Sequence, residues 1–439
     1  MLQEGSDGGL QDPKGGLEGV LDWICTKQIH IMLFLKDKVR GAMRNRIDIM
    51  RLRGFLRNIG ELMWSRGIRR DPSTNMQFYT GYSYGTLYDW DMYFETIIQA
   101  YFGKINYAKN SLIVFLEHQR DSGFIPRCIP EREPEVNEHA KPFLAQTALV
   151  ISRFLGDFSW IAPYYDKLKK FVMYWIEKKD VNRNSLSEWD SAPHTGMDNQ
   201  HERAGKWNAC FCEGVDLNSY LYRELIAMSK IAKEIGKSED VHFFREKAEE
   251  KRKAIQSMLW NDEDKIFYDL DKNTGKQIKV KSVSSFTPLW AKIATPGQAY
   301  HLVYDHLLNP EEFWLPFPIP GYARSEAGYS TVKLPGDLGC NWRGATWIPT
   351  NYMVYHGLIN YGYEDIAEYL AYRTYALVSK YDLPWEWYNC ETGEGQGLHP
   401  FWGWSILGYI LPIEHELKYD PTSLGDDLYE LIHVIIKER

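Results

Sequence analysis

The amino-acid sequence predicts an all-α protein, a single barrel of helices with few short strands. Apolar residues recur at helical spacing over most of the 439 residues, a pattern that indicates amphipathic helices. No change of composition marks a linker between domains. The clearest apolar stripe consists of Leu221, Leu225, Met228, Ala232 and Ile235. Similar stretches lie near residues 40–66, 91–119, 141–155, 160–179, 296–308, 345–361, 363–380 and 422–438.

The striped stretch and the next one along the chain are predicted to pair as a helical hairpin. Gly236 stands where the C-terminal cap of a helix belongs, and Ser238 can serve as the following N-cap. Because only about three residues connect the two helices, we expect them to run antiparallel. Strand-like runs are few and short, near 265–271 and 278–290.

Polar segments rich in aromatic residues interrupt the helical pattern. Function is commonly carried by loops on a rigid scaffold, so we expect these segments to gather on one face of the barrel and to form a cleft there. The segments are residues 78–91, 121–142, 185–214, 335–347 and 383–404.

Charge and cysteine usage argue against several classes of partner. The net charge is -8 and the basic residues are scattered, which argues against nucleic acid as the main partner. The six Cys residues provide no second pair that would complete a zinc spacing, and no H-E-x-x-H motif occurs. We therefore expect no metal and no other cofactor. The sequence shows neither an N-glycosylation acceptor nor a signal peptide, which favours a reducing, cytoplasmic location.

The N-terminal region is expected to differ from the rest of the chain. Residues 1–18 are Gly-rich and polar, which indicates a flexible tail. Residues 19–439 are then expected to form one barrel domain with a helical N-terminal extension. Two charged residues and a histidine interrupt the apolar stretch Gly19–Leu35, so we interpret it as a buried or interface helix rather than a membrane span. Self-association through the extension, and hence a homo-oligomer, remains open.

Aromatic content is the most informative feature of the composition. Aromatic residues make up 15% of the chain, with 16 Trp and 29 Tyr. Aromatic faces suit the C–H faces of sugars, while Tyr and Trp keep a polar atom for hydrogen bonding. Several carboxylates lie among these rings. They are Glu386, Glu391 and Glu394 in the segment Leu383–Gly397, and Asp190, Asp198 and Glu202 in the segment Ser187–Asn208.

Two carboxyl groups that are distant in sequence and surrounded by aromatic rings fit the hydrolysis of a glycosidic bond. One protonates the leaving oxygen, and the other attacks the anomeric carbon or activates water. Residue type and spacing leave the choice open among Asp190, Asp198 and Glu202 for one role and among the three Glu residues for the other. Gly196, just before Met197 and Asp198, permits an unusual backbone that can present a carboxyl group to a cleft.

Two further charged residues have a structural as well as a functional interpretation. Asp91 lies at a predicted helix start and could serve only as its N-cap, although aromatic residues crowd the surrounding segment Gly81–Ile97. Arg343, between Trp342 and Gly344, could be either an ion-pair partner or a substrate clamp.

Five short motifs follow one another along the chain. They are WDMYF at 90–94, KPF at 141–143, TGMDN at 195–199, NWRGATW at 341–347 and EWYNCETGE at 386–394. In this order they resemble the glycoside hydrolases of family 63 and the related trehalase-like enzymes. The sequence is most similar to the small single-domain type that hydrolyses mannosylglycerate or glucosylglycerate. The match departs from the family pattern at Phe143, where a second Pro is usual, and after Asn199.

The resemblance implies an (α/α)6 toroid of the six-hairpin glycosidase type and an inverting mechanism without a cofactor. It makes Asp198 the general acid and Glu386 the general base that activates water, acting on a small α-glucoside or α-mannoside. It also implies that Trp90, Asp91, Trp342 and Arg343 line the sugar subsite. The further substrate-binding candidates are Tyr88, Lys141, Gln146, Trp189, Trp347, Tyr388 and Trp404.

Several alternatives stay open at this point. Asp190 is a rival for the general acid, because residues 187–191 faintly resemble the acid motif of trehalases. Arg203 and Lys206 are candidates for contacting a glycerate carboxylate. Trehalase and oligosaccharide α-glucosidase are the alternative activities. A sugar epimerase on the same toroid would require a pair of loop histidines, and a glycan-binding protein would keep the cleft without turnover.

Overall fold

A computed structural model describes residues 47, 49–133, 135–205, 210–337 and 339–425. The predicted tail, the apolar stretch Gly19–Leu35 and most of the predicted helix near 422–438 lie outside these residues. The described helices are α1 Ile49–Arg66, α2 Asp89–Tyr101, α3 Ile105–Glu117, α4 Leu144–Leu155, α5 Tyr165–Lys178, α6 His201–Ala204, α7 Val215–Glu234, α8 Ser238–Ala254, α9 Thr287–Trp290, α10 Pro296–His301, α11 Ile348–Asn360, α12 Glu364–Val378 and α13 Leu407–Leu417.

Within the described residues, six of these helices close into an inner ring. They contact one another in the order α2, α4, α7, α9, α11 and α13, and α13 returns to contact α2. Six others, α1, α3, α5, α8, α10 and α12, alternate with them along the chain and form the outer layer. This arrangement is the (α/α)6 barrel that the resemblance predicts, and the prediction of an all-α fold is confirmed.

Inner and outer helices differ in how they are buried. All residues of α2 are buried, and nearly all of α11 and α13 are buried as well, as expected for helices enclosed on every side. In the outer helix α5, the buried residues form a single stripe of Tyr165, Leu168, Phe171, Val172 and Trp175. The remaining faces of the outer helices are the charged surface of the barrel.

The helical hairpin predicted around Gly236 is confirmed as α7 and α8. Gly236 has a φ of +78° just after α7, in keeping with its predicted capping role. Ser238 is the first residue of α8 rather than its N-cap, because Lys237 occupies the cap position. The stretch predicted near 91–119 is two helices, separated by a turn at Gly103 with a φ of +65°.

The strand-like run predicted for 278–290 is wrong beyond Ile278, because Ser282 caps a helical turn, Val283–Phe286, that leads into α9.

Short strands connect the helices, and all the described pairs are antiparallel. The pairs are β1 Ile68–Arg70 with β2 Gln77–Tyr79, β3 Leu87–Tyr88 with β4 Cys128–Ile129, and β6 Trp260–Asn261 with β7 Ile266–Phe267. β8 Asp269–Asp271 lies between β5 Cys212–Glu213 and β9 Gln277–Ile278, and β11 Trp387–Asn389 lies between β10 Ala345–Thr346 and β12 Gly395–Gln396.

The five polar aromatic segments each lead into an inner helix. They precede or overlap the starts of α2, α4, α7, α11 and α13 in turn, so they gather at the end of the ring where the inner helices begin. We call this the loop end, and we call the end where the inner helices finish the far end. Among the described helices, none is long and apolar enough to cross a membrane.

Candidate active site

Glu386 lies at the loop end, immediately before β11. Its carboxyl group is buried, and its Oε2 accepts a hydrogen bond of 2.9 Å from the main-chain N–H of Leu398. Trp404 Nε1 donates to the main-chain oxygen of Glu386 at 3.1 Å. Burial raises the pKa of Glu386 to about 7. Glu391 and Glu394 are exposed, so burial separates Glu386 from the two other carboxylates of its segment.

Asp198 reaches the loop end from a tight turn before α6. Gly196 in this turn has a φ of +83°, and a Cβ there would lie 3.2 Å from Trp90 and 3.3 Å from Lys141. The glycine therefore allows a left-handed backbone and a close approach to α2. Asp198 is partly buried, and its Oδ2 accepts a hydrogen bond of 2.8 Å from the main-chain N–H of Cys340. Desolvation raises the pKa of Asp198.

Asp198 and Glu386 lie on either side of one residue, Cys340. Its main-chain N–H binds Asp198, and its Sγ lies 3.9 Å from Oε1 of Glu386. The two carboxyl groups are therefore neighbours without being in direct contact. Inverting glycosidases keep their carboxyl groups about 6.5–9.5 Å apart so that a water fits between them, and an interposed residue is compatible with such a gap.

The start of α2 adds a third buried carboxylate. Asp91 is 5% exposed, and its Oδ1 has no hydrogen-bond partner in the described structure. Burial, together with the neighbouring Asp89, raises the pKa of Asp91 to about 8. Asp89 itself is bound by Lys141, whose main-chain N–H lies 2.7 Å and whose Nζ lies 3.3 Å from its oxygens. Lys141 thus binds Asp89 at the start of α2, whereas Oδ1 of Asp91 has no described partner.

Five tryptophans from three of the loops pack against one another beside these carboxylates. Trp342 stacks face to face on Trp347, with ring centroids 3.8 Å apart and planes at 2°. Trp387 stacks on the other side of Trp347 at 4.8 Å, and Trp90 lies 5.6 Å from Trp342. Trp404 lies 5.8 Å from Trp347. We call these five residues the tryptophan wall. Trp387 belongs to the motif at 386–394 but is not among the predicted substrate-binding residues.

Three candidates lie within the protein with their polar atoms already bonded. Gln146 donates to two main-chain carbonyls of the barrel and accepts from an arginine side chain. Trp189 donates to Asp216 at 3.0 Å and packs on an outer helix. The hydroxyl of Tyr388 accepts a bond of 3.0 Å from the main-chain N–H of Trp385. All three side chains are buried, so these polar atoms are engaged within the protein.

Arg343 and Tyr88 lie at the edge of the site. The Nη1 of Arg343 donates to Glu202 at 2.7 Å, and its Nη2 lies 3.5 Å from Asp337. Of the two interpretations of Arg343, the described contacts show the ion pair. Tyr88 is partly buried at the end of β3, and its hydroxyl donates to Glu135 at 3.3 Å.

Asp190 and Arg203 are held in ion pairs. Asp190 contacts Lys179, and it lies 3.3 Å from Nδ1 of His194. These partners hold the pKa of Asp190 well below its usual range, after overcoming the effect of burial. A carboxyl group that is ionised so readily does not suit a proton donor. Arg203 is fully buried between Asp216 and Asp269, and Lys206 lies outside the described residues.

Two residues of the site were not selected from the sequence. Arg127 is buried and ion-paired with Glu138 at 2.6 Å, and its charge lowers the pKa of Asp198. The hydroxyl of Tyr82 favours the ionised forms of both Glu386 and Asp91. Both residues come from polar aromatic segments that the sequence singled out, but nothing local distinguishes them from their neighbours. In the part of the chain that the structure describes, no group of three or more His, Cys, Asp or Glu could hold a metal ion.

Comparison with known proteins identifies the family. The model of the mannosylglycerate hydrolase MGH1-like glycoside hydrolase domain matches residues 84–405. The chain belongs to this family. The resemblance noted from the five motifs is thereby confirmed.

Curated relatives and solved structures extend this result. The chain is 28% identical over 200 residues to mannosylglycerate hydrolase from Rubrobacter radiotolerans, a match that covers 44% of this chain and 42% of that protein. It is 28% identical over 183 residues to cytosolic neutral trehalase from Kluyveromyces lactis, covering 39% of this chain and 24% of that protein. The matches thus span less than half the length of these two relatives.

Two solved structures show the same fold. Family 63 mannosylglycerate hydrolase from Thermus thermophilus, in complex with glucose, superimposes with a TM-score of 0.66 at 19% identity, covering 81% of this chain and 99% of that one. Neutral trehalase from Saccharomyces cerevisiae superimposes with a TM-score of 0.62 at 19% identity, covering 84% of this chain and 78% of that one.

Proposed function

We propose that this protein is an inverting α-glycosidase that hydrolyses a small α-glucoside or α-mannoside. The observation that carries the proposal is the pair of Asp198 and Glu386. Both have a raised pKa, they flank one residue, and the tryptophan wall adjoins Glu386 through Trp404. Family membership supports the reaction class.

Asp198 is the proposed general acid. Desolvation raises its pKa, so the carboxyl group keeps its proton at a higher pH than an exposed aspartate would. The main-chain N–H of Cys340 binds Oδ2, which leaves Oδ1 to carry the proton toward the glycosidic oxygen. Protonation of that oxygen allows the bond to the anomeric carbon to break.

Glu386 is the proposed general base. Its Oε2 is bound by Leu398, so Oε1 is the oxygen that can accept a proton from water. With a pKa of about 7, the carboxylate is ionised in an increasing fraction of molecules as the pH rises through neutrality, and near that pH a base is well matched to proton transfer. The water attacks the anomeric carbon on the face opposite the leaving group, so the product has the inverted, β configuration.

The sugar is proposed to lie against the tryptophan wall with Asp91 beneath it. Trp and sugar C–H faces complement one another. The unpartnered Oδ1 of Asp91 can accept a hydrogen bond from a sugar hydroxyl, which would remove the cost of burying an unsatisfied polar atom.

The names of the relatives support two substrate classes. Mannosylglycerate hydrolases appear both among the curated relatives and among the solved structures, which favours a mannosylglycerate-like or glucosylglycerate-like substrate. The trehalase relatives make trehalose the second candidate.

We also infer a cytoplasmic location, which the cytosolic trehalase relative supports. A periplasmic trehalase is a relative too. Fractionation of the source cells tests the inference.

The test is hydrolysis of a panel of small α-glycosides, followed by NMR of the freshly released sugar. The panel contains mannosylglycerate, glucosylglycerate, trehalose, kojibiose and nigerose. We expect the wild type to release the β-anomer from at least one of them, Glu386→Gln to release almost none, and Asp190→Asn to retain turnover. Release of the α-anomer would contradict inversion. No release from any substrate, together with weak binding of the same sugars, would identify a glycan-binding protein instead.

A further inference from the structure

The dipeptide Gly339-Cys340 lies between the two proposed catalytic carboxyl groups. Gly339 has a φ of +63°, and a Cβ at this position would lie 2.2 Å from Oδ2 of Asp198. No side chain fits there. The glycine therefore allows the main-chain N–H of Cys340 to approach Asp198 Oδ2 to 2.8 Å, so the backbone of the dipeptide holds the proposed acid.

The side chain of Cys340 faces the proposed base. Its Sγ lies 3.9 Å from Oε1 of Glu386, while Oε2 is taken by the main-chain N–H of Leu398. The thiol is a weak donor, and it acts on Glu386 together with the hydroxyl of Tyr82, which also favours the ionised form. Burial and the charges of Glu386, Asp198 and Asp91 raise the pKa of the Cys340 thiol, and the charge of Lys333 opposes them. The sulfur thus remains an S–H donor rather than becoming an anion that would repel both carboxylates.

We propose that Cys340 is a positioning residue that sets both carboxyl groups, Asp198 through its main-chain N–H and Glu386 through its thiol. The inference rests on the proposed function for the roles of the two carboxyl groups. Because a hydrogen bond to an ionised carboxylate favours that form, the thiol keeps Glu386 available as a base at lower pH. Because the thiol contacts the carboxyl group of Glu386, we expect its replacement to change proton transfer more than sugar binding.

The pH profile of kcat/KM tests the proposal, because its acidic limb reports the base in the free enzyme. In Cys340→Ala the main-chain N–H remains and the thiol is lost. We expect the acidic limb to move up by about half to one pH unit, with kcat reduced about tenfold and KM within about twofold of wild type. In Cys340→Ser a hydroxyl donor replaces the thiol, and we expect the limb to lie nearer to wild type.

A second cysteine of the same region provides the matched control. Cys390 is buried, and its Sγ contacts the hydroxyl of Tyr329 at 3.1 Å rather than either carboxyl group. We expect Cys390→Ala to leave the acidic limb in place. An unchanged limb in Cys340→Ala, or equal shifts in the Ala and Ser variants at position 340, would overturn the positioning role.

A measurement that needs no turnover separates this proposal from the proposed function. Iodoacetamide alkylation of Cys340, followed over pH by peptide mass spectrometry, gives the pKa of its thiol. In Glu386→Gln a neighbouring charge is lost, so we expect that pKa to fall relative to wild type. If it does not fall, the contact between the thiol and Glu386 is refuted. If it falls while the wild type hydrolyses none of the glycosides, the proposed function fails and the contact stands.

Discussion

The two ends of the barrel both bury carboxyl groups, but they treat them differently. At the far end, Glu414 is fully buried, and both of its oxygens are bonded. Oε1 accepts from the hydroxyls of Tyr101 at 2.7 Å and Tyr352 at 3.0 Å, and Oε2 accepts from Nε2 of His356 at 3.0 Å. At the loop end, Asp91 Oδ1 has no partner among the described residues.

The comparison teaches that a raised pKa alone does not mark a site. Burial raises the pKa of Glu414, and it raises that of Glu224 in α7 to about 7, the same value as for Glu386. Glu224, however, accepts main-chain N–H groups of Ala145 at 2.6 Å and Gln146 at 3.1 Å and so satisfies the start of α4. Asp91 differs from Glu224 and Glu414 because one of its carboxyl oxygens, Oδ1, has no partner among the described residues.

The largest expected effect is on turnover. Asp198→Asn and Glu386→Gln keep the shapes of the side chains and remove proton transfer, so each is expected to lower kcat by about 10²- to 10⁴-fold. Glu224→Gln is the matched control, because its carboxyl group has the same raised pKa in a saturated environment. Steady-state kinetics of the folded variants make the measurement. A comparable loss in Glu224→Gln would remove the distinction between the two kinds of carboxyl group.

The second prediction concerns stability and pH. Because the pKa of Glu386 is about 7 in the folded protein and 4.5 for an ordinary glutamate, the folded state binds this proton more tightly than the unfolded state. Stability is therefore lost as the pH rises from the lower value through the higher one. Glu386→Gln should be more stable than wild type at about pH 8, by up to about 3 kcal/mol, and gain less at about pH 5.

Thermal unfolding of both proteins at the two pH values checks this expectation. Glu391→Gln serves as the control, because Glu391 is exposed in the same segment and its replacement should produce no comparable pH-dependent gain. A Glu386→Gln protein that is less stable than wild type at the higher pH would contradict this expectation. It would mean that hydrogen bonds stabilise the ionised form of Glu386 as fully as those that Glu414 accepts.

The third prediction addresses the far end. Glu414→Gln retains the shape of the side chain but weakens its bonds to His356 and the two tyrosines, so it is expected to destabilise the fold by about 1–3 kcal/mol. Turnover per folded molecule should stay close to wild type. Denaturant unfolding combined with kinetics separates the two effects. Lost turnover without lost stability would assign the far end a role in the reaction.

The smallest expected effect comes from the backbone that presents Asp198. Gly196→Ala places a Cβ against Trp90 and Lys141 at a φ of +83°, which should cost about 1–3 kcal/mol of strain and lower kcat about tenfold. Gly362→Ala is the control, since its φ is +77° and nothing lies within 4 Å of its Cβ. Denaturant unfolding and steady-state kinetics of the two variants separate the effect of the contact with Trp90 and Lys141 from that of the left-handed backbone. Equal effects on kcat would show that this contact does not help to position Asp198.

The elements that the sequence predicts correctly are those marked by a local pattern of apolar and polar residues. The hairpin of α7 and α8 was predictable because the apolar residues of α7 recur at helical spacing and Gly236 marks the end of that helix. The loops were found because polar aromatic segments interrupt that pattern. By contrast, α13 was not predicted, because a helix buried on nearly every side has no stripe. A single-turn inner helix, α9, was mistaken for part of a strand-like run for the same reason.

The candidate catalytic carboxyl groups could be told apart only in the folded structure. Whether a carboxyl group is buried or ion-paired depends on residues distant in sequence, such as Leu398 for Glu386. Asp190 and Asp198 look alike in the sequence, and contacts with Lys179 and Cys340 separate them. Trp189 was selected by residue type, but position along the chain does not say which side of a loop faces the cleft.

The stack of Trp342 on Trp347 has an optical consequence. Two indoles whose planes are nearly parallel and whose centroids are 3.8 Å apart share their excited states, so their ultraviolet absorption and circular dichroism differ from those of separate tryptophans. A sugar that lies against the wall changes the surroundings of the pair. If the sugar binds as proposed, we expect its occupancy of the cleft to be measurable from the protein's own spectrum, with natural glycosides that carry no chromophore.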